Sequence, residues 1–283
     1  MYDYLGEHPQ IHKATRKEPN FFATDLDSGS YLDSLSFIRD RDQYVALFAG
    51  ARPDQLAGEA STWNLYSKVA ASNIRSTIPH ARIIIMLRHP VEMLYSLHGR
   101  RLYGGSEDVP DFTDALAAED DRRAGRRIPP RARNVTGLFY RDVGRYSEQV
   151  ERYLNAFGRD RVHIGIFDDF INDPAAAYRA VLEFLAVDPN FEPDFKVINA
   201  GASRRSWRLQ QVVLSPGIVR LARVVVPPPV RPFVGRIMDA VNSKPQKRPR
   251  LDPVVAASLR QELLPDIVRL GRLIGRDLEA LWT

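Results

Sequence analysis

Residues 82–101 read RIIIMLRHPVEMLYSLHGRR, and the passage of this stretch from strand to helix decides the fold class. Ile83, Ile84, Ile85, Met86 and Leu87 form an uninterrupted apolar run with three β-branched residues, the pattern of a parallel strand covered on both faces. Arg88 ends the run. Pro90 suits a first helical position, and Val91, Leu94 and Tyr95 follow at helical spacing, so the strand feeds a helix rather than a hairpin. In open α/β folds ligands bind in the crevice outside the carboxyl ends of such strands. An arginine there can hold a phosphate through two charge-assisted hydrogen bonds, with Ser96 farther along the helix as a hydroxyl donor. On the residues alone, an arginine capping a strand end and a core-facing serine is an equal alternative.

Working outward, Leu56 to Ala60 is a strand candidate, Asn64 to Thr77 reads as one amphipathic helix, and together with the 82–87 strand they make a βαβ unit with a right-handed crossover. Residues 40 to 50 are helical in pattern. Residues 103 to 136 form an excursion, with Gly104, Gly105, Pro110, Pro129 and Pro130 around a charged helix near Phe112 to Ala124; it is either a lid or a surface insertion without a role. Regular periodicity returns with a helix marked by Tyr146, Val150, Tyr153, Leu154 and Phe157, a strand from Val162 to Phe167, and a helix from Pro174 to Leu185. His163 reads as structural, and Asp168 and Asp169 as caps of the next helix. Residues 213 to 250 alternate apolar and arginine residues around Pro227, Pro228 and Pro229, too broken to span a bilayer; the part from 213 to 242 packs on the domain or rests on a membrane surface. The last helix is expected to start with Asp252 as cap, carry Pro253 in its first turn and break near Pro265.

A chain of 283 residues that is 44% hydrophobic can bury one substantial core, and it reads as a single domain: a core over 1–210, the Pro/Arg-rich segment 213–250, and closing helices over 252–282. There is no cysteine, which excludes disulfides and is compatible with the cytoplasm. The net charge of +5 is spread along the chain rather than gathered into a nucleic-acid footprint, and it suits a polyanionic small-molecule partner.

Arg88, Pro90 and Ser96, together with Lys17, Glu18, Pro19, Asn20, Phe21 and Phe22 near the start of the chain, resemble the motifs of sulfotransferases that use 3′-phosphoadenosine 5′-phosphosulfate (PAPS). The likeness is greatest to the carbohydrate-type branch, which includes heparan sulfate enzymes and bacterial homologues. It implies a three-layer, P-loop-NTPase-like α/β fold with a central parallel sheet flanked by helices. It implies PAPS as sulfuryl donor without a metal, and a hydroxylated sugar or glycolipid as acceptor. Arg88 and Ser96 fall on the 3′-phosphate positions, and Glu18 on the catalytic base. Arg204 and Arg205 fall in a basic loop that closes over the adenosine. Read without the resemblance, Glu18 pairs with Lys13, Arg16 or Lys17 on a solvated loop. Phe21 and Phe22 are expected to desolvate it.

Two departures matter. The family's lysine- and glycine-rich 5′-phosphosulfate loop and the first strand before it are missing from the sequence, which enters the pattern at Tyr2; the expectation is that they lie upstream of Met1. Ala60 follows Glu59 where heparan sulfate enzymes carry a lysine, which weakens a heparan-like acceptor. The leading function is sulfuryl transfer to a carbohydrate or glycolipid hydroxyl. The alternative is a donor-loop-deficient, non-catalytic nucleotide-binding relative. A kinase would need a triphosphate loop and a metal site, and neither is visible.

Overall fold

The structure is a computed structural model that describes residues 1–195 and 249–282, together with the backbone of two short strands at 202–204 and 243–245. In chain order its elements are α1 (Tyr2–Leu5), β1 (Ile11–Lys13), α2 (Tyr31–Ser34), α3 (Arg41–Ala46), β2 (Leu56–Gly58), α4 (Trp63–Tyr66), α5 (Ala70–Thr77), β3 (Ile83–Leu87) and α6 (Pro90–Gly104). There follow α7 (Phe112–Ala117), α8 (Glu119–Arg123), α9 (Tyr140–Gly144), α10 (Tyr146–Phe157), β4 (Val162–Ile166), α11 (Phe167–Asn172), α12 (Pro174–Leu185), β5 (Ala202–Arg204) and β6 (Ser243–Pro245). The chain closes with α13 (Pro253–Ile274) and α14 (Leu278–Leu281).

Two parallel strand pairs organise the α/β fold. β1 pairs with β2, with Ile11 opposite Leu56 and Lys13 opposite Gly58. β3 pairs with β4, with Ile83 opposite Val162 and Leu87 opposite Ile166. Helices supply the apolar cover: Tyr4 and Leu5 of α1 pack with Ile11 and with Tyr178, Val181 and Leu182 of α12. The β3 run is less symmetrically buried than its composition predicts. Ile85 and Leu87 are buried, while Ile83, Ile84 and Met86 are only partly covered.

The chain forms two compact units, residues 1–94, 133–195 and 257–283 in the first and residues 95–132 and 196–256 in the second. The second holds the excursion. Within it the Arg122 guanidinium donates to Glu107 at 2.7 Å, both side chains being fully buried. His98 meets the Val109 carbonyl, and Phe112 packs against the rings of Tyr95 and His98. β5 and β6 are antiparallel.

Four local expectations are corrected. The Asn64–Thr77 helix is two helices, because Ser67 adopts an extended backbone, donates its hydroxyl to Asp25 and accepts the Ala70 amide at the start of α5. The charged helix near 112–124 is likewise split at Ala118 into α7 and α8. α13 runs through Pro265 without ending; next to that proline, Asp266 accepts the backbone amide and hydroxyl of Ser147, tying the helix to α10. Asp168 and Asp169 do not cap α12, a role taken by Asp173; they bind the closing segment instead, Asp168 accepting from Trp282 Nε1 and Asp169 from Arg276.

Candidate functional site

The first unit gathers its chemistry at the carboxyl ends of the two parallel pairs, where α/β folds place ligands. Beyond β1 the chain turns through Glu18, Pro19 and Asn20; beyond β2 it runs through Glu59, Ala60, Ser61 and Thr62. These two loops are laced together. The Glu18 amide donates to the Ala60 carbonyl and the Asn20 amide to Ser61 Oγ, each at 2.9 Å. The Thr62 amide donates to Glu18 Oε2 at 2.8 Å and its hydroxyl to Oε1 at 3.0 Å. An ionised carboxylate has about four acceptor positions, so two donors fix its plane and leave room for a third.

This lacing holds a costly backbone. Glu18 and Asn20 have φ of +56° and +49°, a region that Asn tolerates and Glu rarely enters. A non-glycine residue held there costs of order 1–3 kcal/mol and persists only where its surroundings over-determine it. Those surroundings include the Asn20 side-chain amide, which donates to the Glu18 and Ser36 carbonyls, and the Ile38 amide, which donates to the Pro19 carbonyl. The pairing of Glu18 with basic neighbours does not occur: Lys13 and Lys17 turn to Asp3, and Arg16 donates to the Leu35 carbonyl.

In these loops the carboxyl that burial perturbs is Glu59. Desolvation pushes it up to about 7, the hydrogen bond from Ser61 opposes the rise, the nearby Glu18 charge adds to it, and a hydrogen bond from Asn64 opposes it again. Ser61 Oγ donates to Glu59 Oε2 at 2.8 Å and Asn64 Nδ2 to Oε1 at 3.2 Å. Burial raises the phenols of Tyr2, Tyr44 and Tyr153, with the Glu59 charge contributing to each; Tyr2 reaches about 12. Phe21 and Phe22 pack on Tyr44, Phe21 stacked at 4.4 Å between ring centroids.

At the second pair, Arg88 follows β3 and lies over the ring of Phe167, the first residue after β4, at 5.1 Å from its centroid. Its guanidinium donates twice to Glu92, four residues on, in an ion pair whose side chains are 40% and 59% exposed. Such an exposed i,i+4 pair is worth only about 0.3–0.5 kcal/mol, whereas each charge-assisted hydrogen bond to a phosphate is worth about 1.5–3 kcal/mol. The Glu92 pair is therefore weak enough to be exchanged for another anion. Beside it the buried Trp282 ring approaches His89.

Ser96 is exposed on the part of α6 that belongs to the second unit. Arg204 lies in β5, its side chain outside the described residues, and Arg205 lies outside them altogether, as does most of the 213–250 segment. Among the described residues, no cluster of three or more His, Asp or Glu side chains is arranged to hold a metal ion, and no helix is long and apolar enough to cross a membrane.

This architecture matches known proteins. A crystal structure of a sulfotransferase from Alicyclobacillus acidocaldarius superposes with a TM-score of 0.72 and 28% identity, over 99% of this chain and 92% of that one. The fold is that of a sulfotransferase. A sulfotransferase domain from the curacin biosynthetic pathway aligns with 56% of this chain and 50% of its own, at 14% identity and a TM-score of 0.34, too partial a likeness to bear on the site. No family model matches the sequence, and no curated protein does.

Sequence reasoning singled out Arg88 and Glu18 and, through the resemblance, set Glu59 in the segment that lines the acceptor cleft; it assigned no role to Phe167 and did not anticipate that Glu59 is buried. Phe167 had a readable signal, an aromatic residue directly after a strand whose last residue stands opposite Leu87, just before Arg88. Glu59 had a weaker one: its neighbours Ser61 and Asn64 are ordinary in sequence, and only burial makes the carboxyl unusual.

Proposed function

We propose that the chain transfers a sulfuryl group from PAPS to the hydroxyl of a carbohydrate or glycolipid, with Glu18 as general base and Arg88 as ligand of the donor's 3′-phosphate. The observation that supports this most is the near full-length likeness to a sulfotransferase, within which the Arg-x-Pro motif and Glu18 both stand beyond the carboxyl ends of parallel strands.

Bound PAPS supplies an activated sulfuryl group. The residues of the chain supply the rest. A sugar hydroxyl is a weak nucleophile, and its proton must leave as the new O–S bond forms and the bond from sulfur to the phosphate oxygen breaks. Glu18 accepts that proton; a positioned base of this kind contributes typically 10²- to 10⁴-fold. Thr62 fixes the plane of the carboxylate, so its free lone pairs face one direction rather than sampling several. Arg88 anchors the other end of the donor, where it is planar, stacked on Phe167 and free to exchange an exposed carboxylate for a phosphate.

The test is Glu18→Gln, assayed with labelled PAPS against a panel of sugars and glycolipids. Turnover is expected to fall by roughly 10²-fold, while the affinity for 3′-phosphoadenosine 5′-phosphate, read by calorimetry, stays at the wild-type value. Unchanged turnover makes Glu18 a structural charge and overturns its role as base.

A further inference from the structure

We propose that Glu59 is a positioning residue for Glu18: its carboxylate orients Ser61, Ser61 holds the Asn20 amide, and this relay keeps the left-handed Glu18–Asn20 turn in the conformation that presents the Glu18 carboxylate. The inference rests on the reading of Glu18 as base and adds a residue that does not itself meet the substrate.

The geometry carries it. Ser61 sits between the two loops, donating to Glu59 Oε2 at 2.8 Å and accepting from the Asn20 amide at 2.9 Å. A serine hydroxyl has one proton and two lone pairs. When Glu59 is ionised it takes the proton, and both lone pairs are left for donors such as the Asn20 amide. When Glu59 is protonated it can donate instead, and it then competes with that amide for the same oxygen. The turn at stake is strained at both Glu18 and Asn20, so it depends on such supports. Asn64 is poised for the same change: its Nδ2 faces Glu59 while its buried Oδ1 has no hydrogen-bond partner among the described residues, so a flip of the amide would offer a protonated Glu59 an acceptor.

Charge works in the same direction. The groups that face Glu59 are Glu18, Tyr2 from α1, Tyr44 from α3 and Tyr153 from α10. The three tyrosines, all raised by burial, are neutral across the working range, so the Glu18 carboxylate is the one anion among these groups. An ionised Glu59 adds a second negative charge beside it. Proton uptake by Glu59 removes both that charge and the Ser61 orientation, and because burial places its titration near pH 7, turnover rises with pH through that region.

Two substitutions separate the contributions. Glu59→Ala removes the partner of Ser61; hydrogen exchange at the Asn20 amide is expected to speed up at least about tenfold, and kcat to fall by a similar factor with donor affinity unchanged. Glu59→Gln keeps an acceptor for Ser61 and so retains Asn20 protection, but its turnover loses the rising limb near pH 7. An alanine variant that keeps Asn20 protection overturns the proposal, as does a glutamine variant that keeps the limb. The exchange measurement needs no turnover. If Glu18→Gln proves fully active, the reading of Glu18 as base fails, while Asn20 exchange still decides whether Glu59 holds the turn.

Discussion

Glu59→Gln should stabilise the protein, and only above a certain pH. Desolvation is the largest cause of the rise of the Glu59 carboxyl from its ordinary 4.5 to about 7, so the folded chain retains a proton that the unfolded chain has released between those values. The sign follows directly. A folded state that binds more protons than the unfolded one loses stability as pH climbs from about 4.5 to about 7, and above that the full loss is in place. At about 1.36 kcal/mol for each tenfold change in proton affinity, the interval from 4.5 to about 7 amounts to roughly 3 kcal/mol. Glutamine keeps the shape and carries no charge, so it escapes that loss. It must still satisfy Ser61 and Asn64, and an imperfect hydrogen bond subtracts about 1 kcal/mol from the gain. The measurement is thermal or urea unfolding of both proteins at matched ionic strength from pH 4 to pH 8. Near pH 4 the variant should lie about 1 kcal/mol behind, and it should pull ahead as pH rises, to about 2–3 kcal/mol at pH 8. A difference that is constant with pH, or that favours the wild type at pH 8, refutes the reasoning, because it would mean that Glu59 is not held against its ionisation.

Arg88→Ala should weaken the binding of 3′-phosphoadenosine 5′-phosphate at least tenfold, since even one lost charge-assisted hydrogen bond is worth about 1.5–3 kcal/mol; calorimetry reads it, and equal affinities remove Arg88 from the donor site. In the second unit, Arg122→Ala takes the buried guanidinium away from the equally buried Glu107, at an expected cost of about 3–5 kcal/mol in unfolding experiments, and a loss below 1 kcal/mol would mean that water reaches the pair.

The sequence was most legible where local rules act alone. The run from Ile83 to Leu87, the Pro90 helix start and the helices at 146–157 and 174–185 follow from periodicity and turn chemistry, and all of them stand in the structure. It was least legible where distant groups override those rules. Asn64 to Thr77 has unbroken helical periodicity, yet Asp25 captures Ser67 and splits it. Pro265 signals a break, yet the helix runs through it, with the adjacent Asp266 held by Ser147. The same holds for the site. Arg88 was visible because strand, arginine and proline are adjacent in the chain, whereas Glu59 becomes distinctive only when Ser61, Asn64 and three tyrosines from separate helices enclose it.

Two features of the first unit oppose stability, a left-handed glutamate and a carboxyl pushed toward neutrality by burial, and they occupy adjoining loops. Neither has a structural justification of its own. Asparagine or glycine at position 18 would remove the backbone strain, and glutamine at 59 the cost of ionisation. Together they make sense as parts of one device. A base must hold its carboxylate in one plane with acceptor positions to spare, and the strained turn, fixed by Ala60, Ser61 and Thr62, sets Glu18 where the Thr62 amide and hydroxyl take only part of that capacity. The neighbouring carboxyl then supplies orientation and negative charge without touching the reacting atoms. Each substitution that relieves the strain or the buried charge should therefore cost activity, the trade-off expected where stability has been given up for chemistry. Glu59→Gln puts that link to the test: a stability gain that builds from about pH 4.5 and levels off near 7, and a turnover deficit that appears as Glu59 of the wild type ionises near 7. If the stability difference levels off at a pH other than that of the turnover limb, the two effects do not share a cause, and Glu59 and Glu18 act separately.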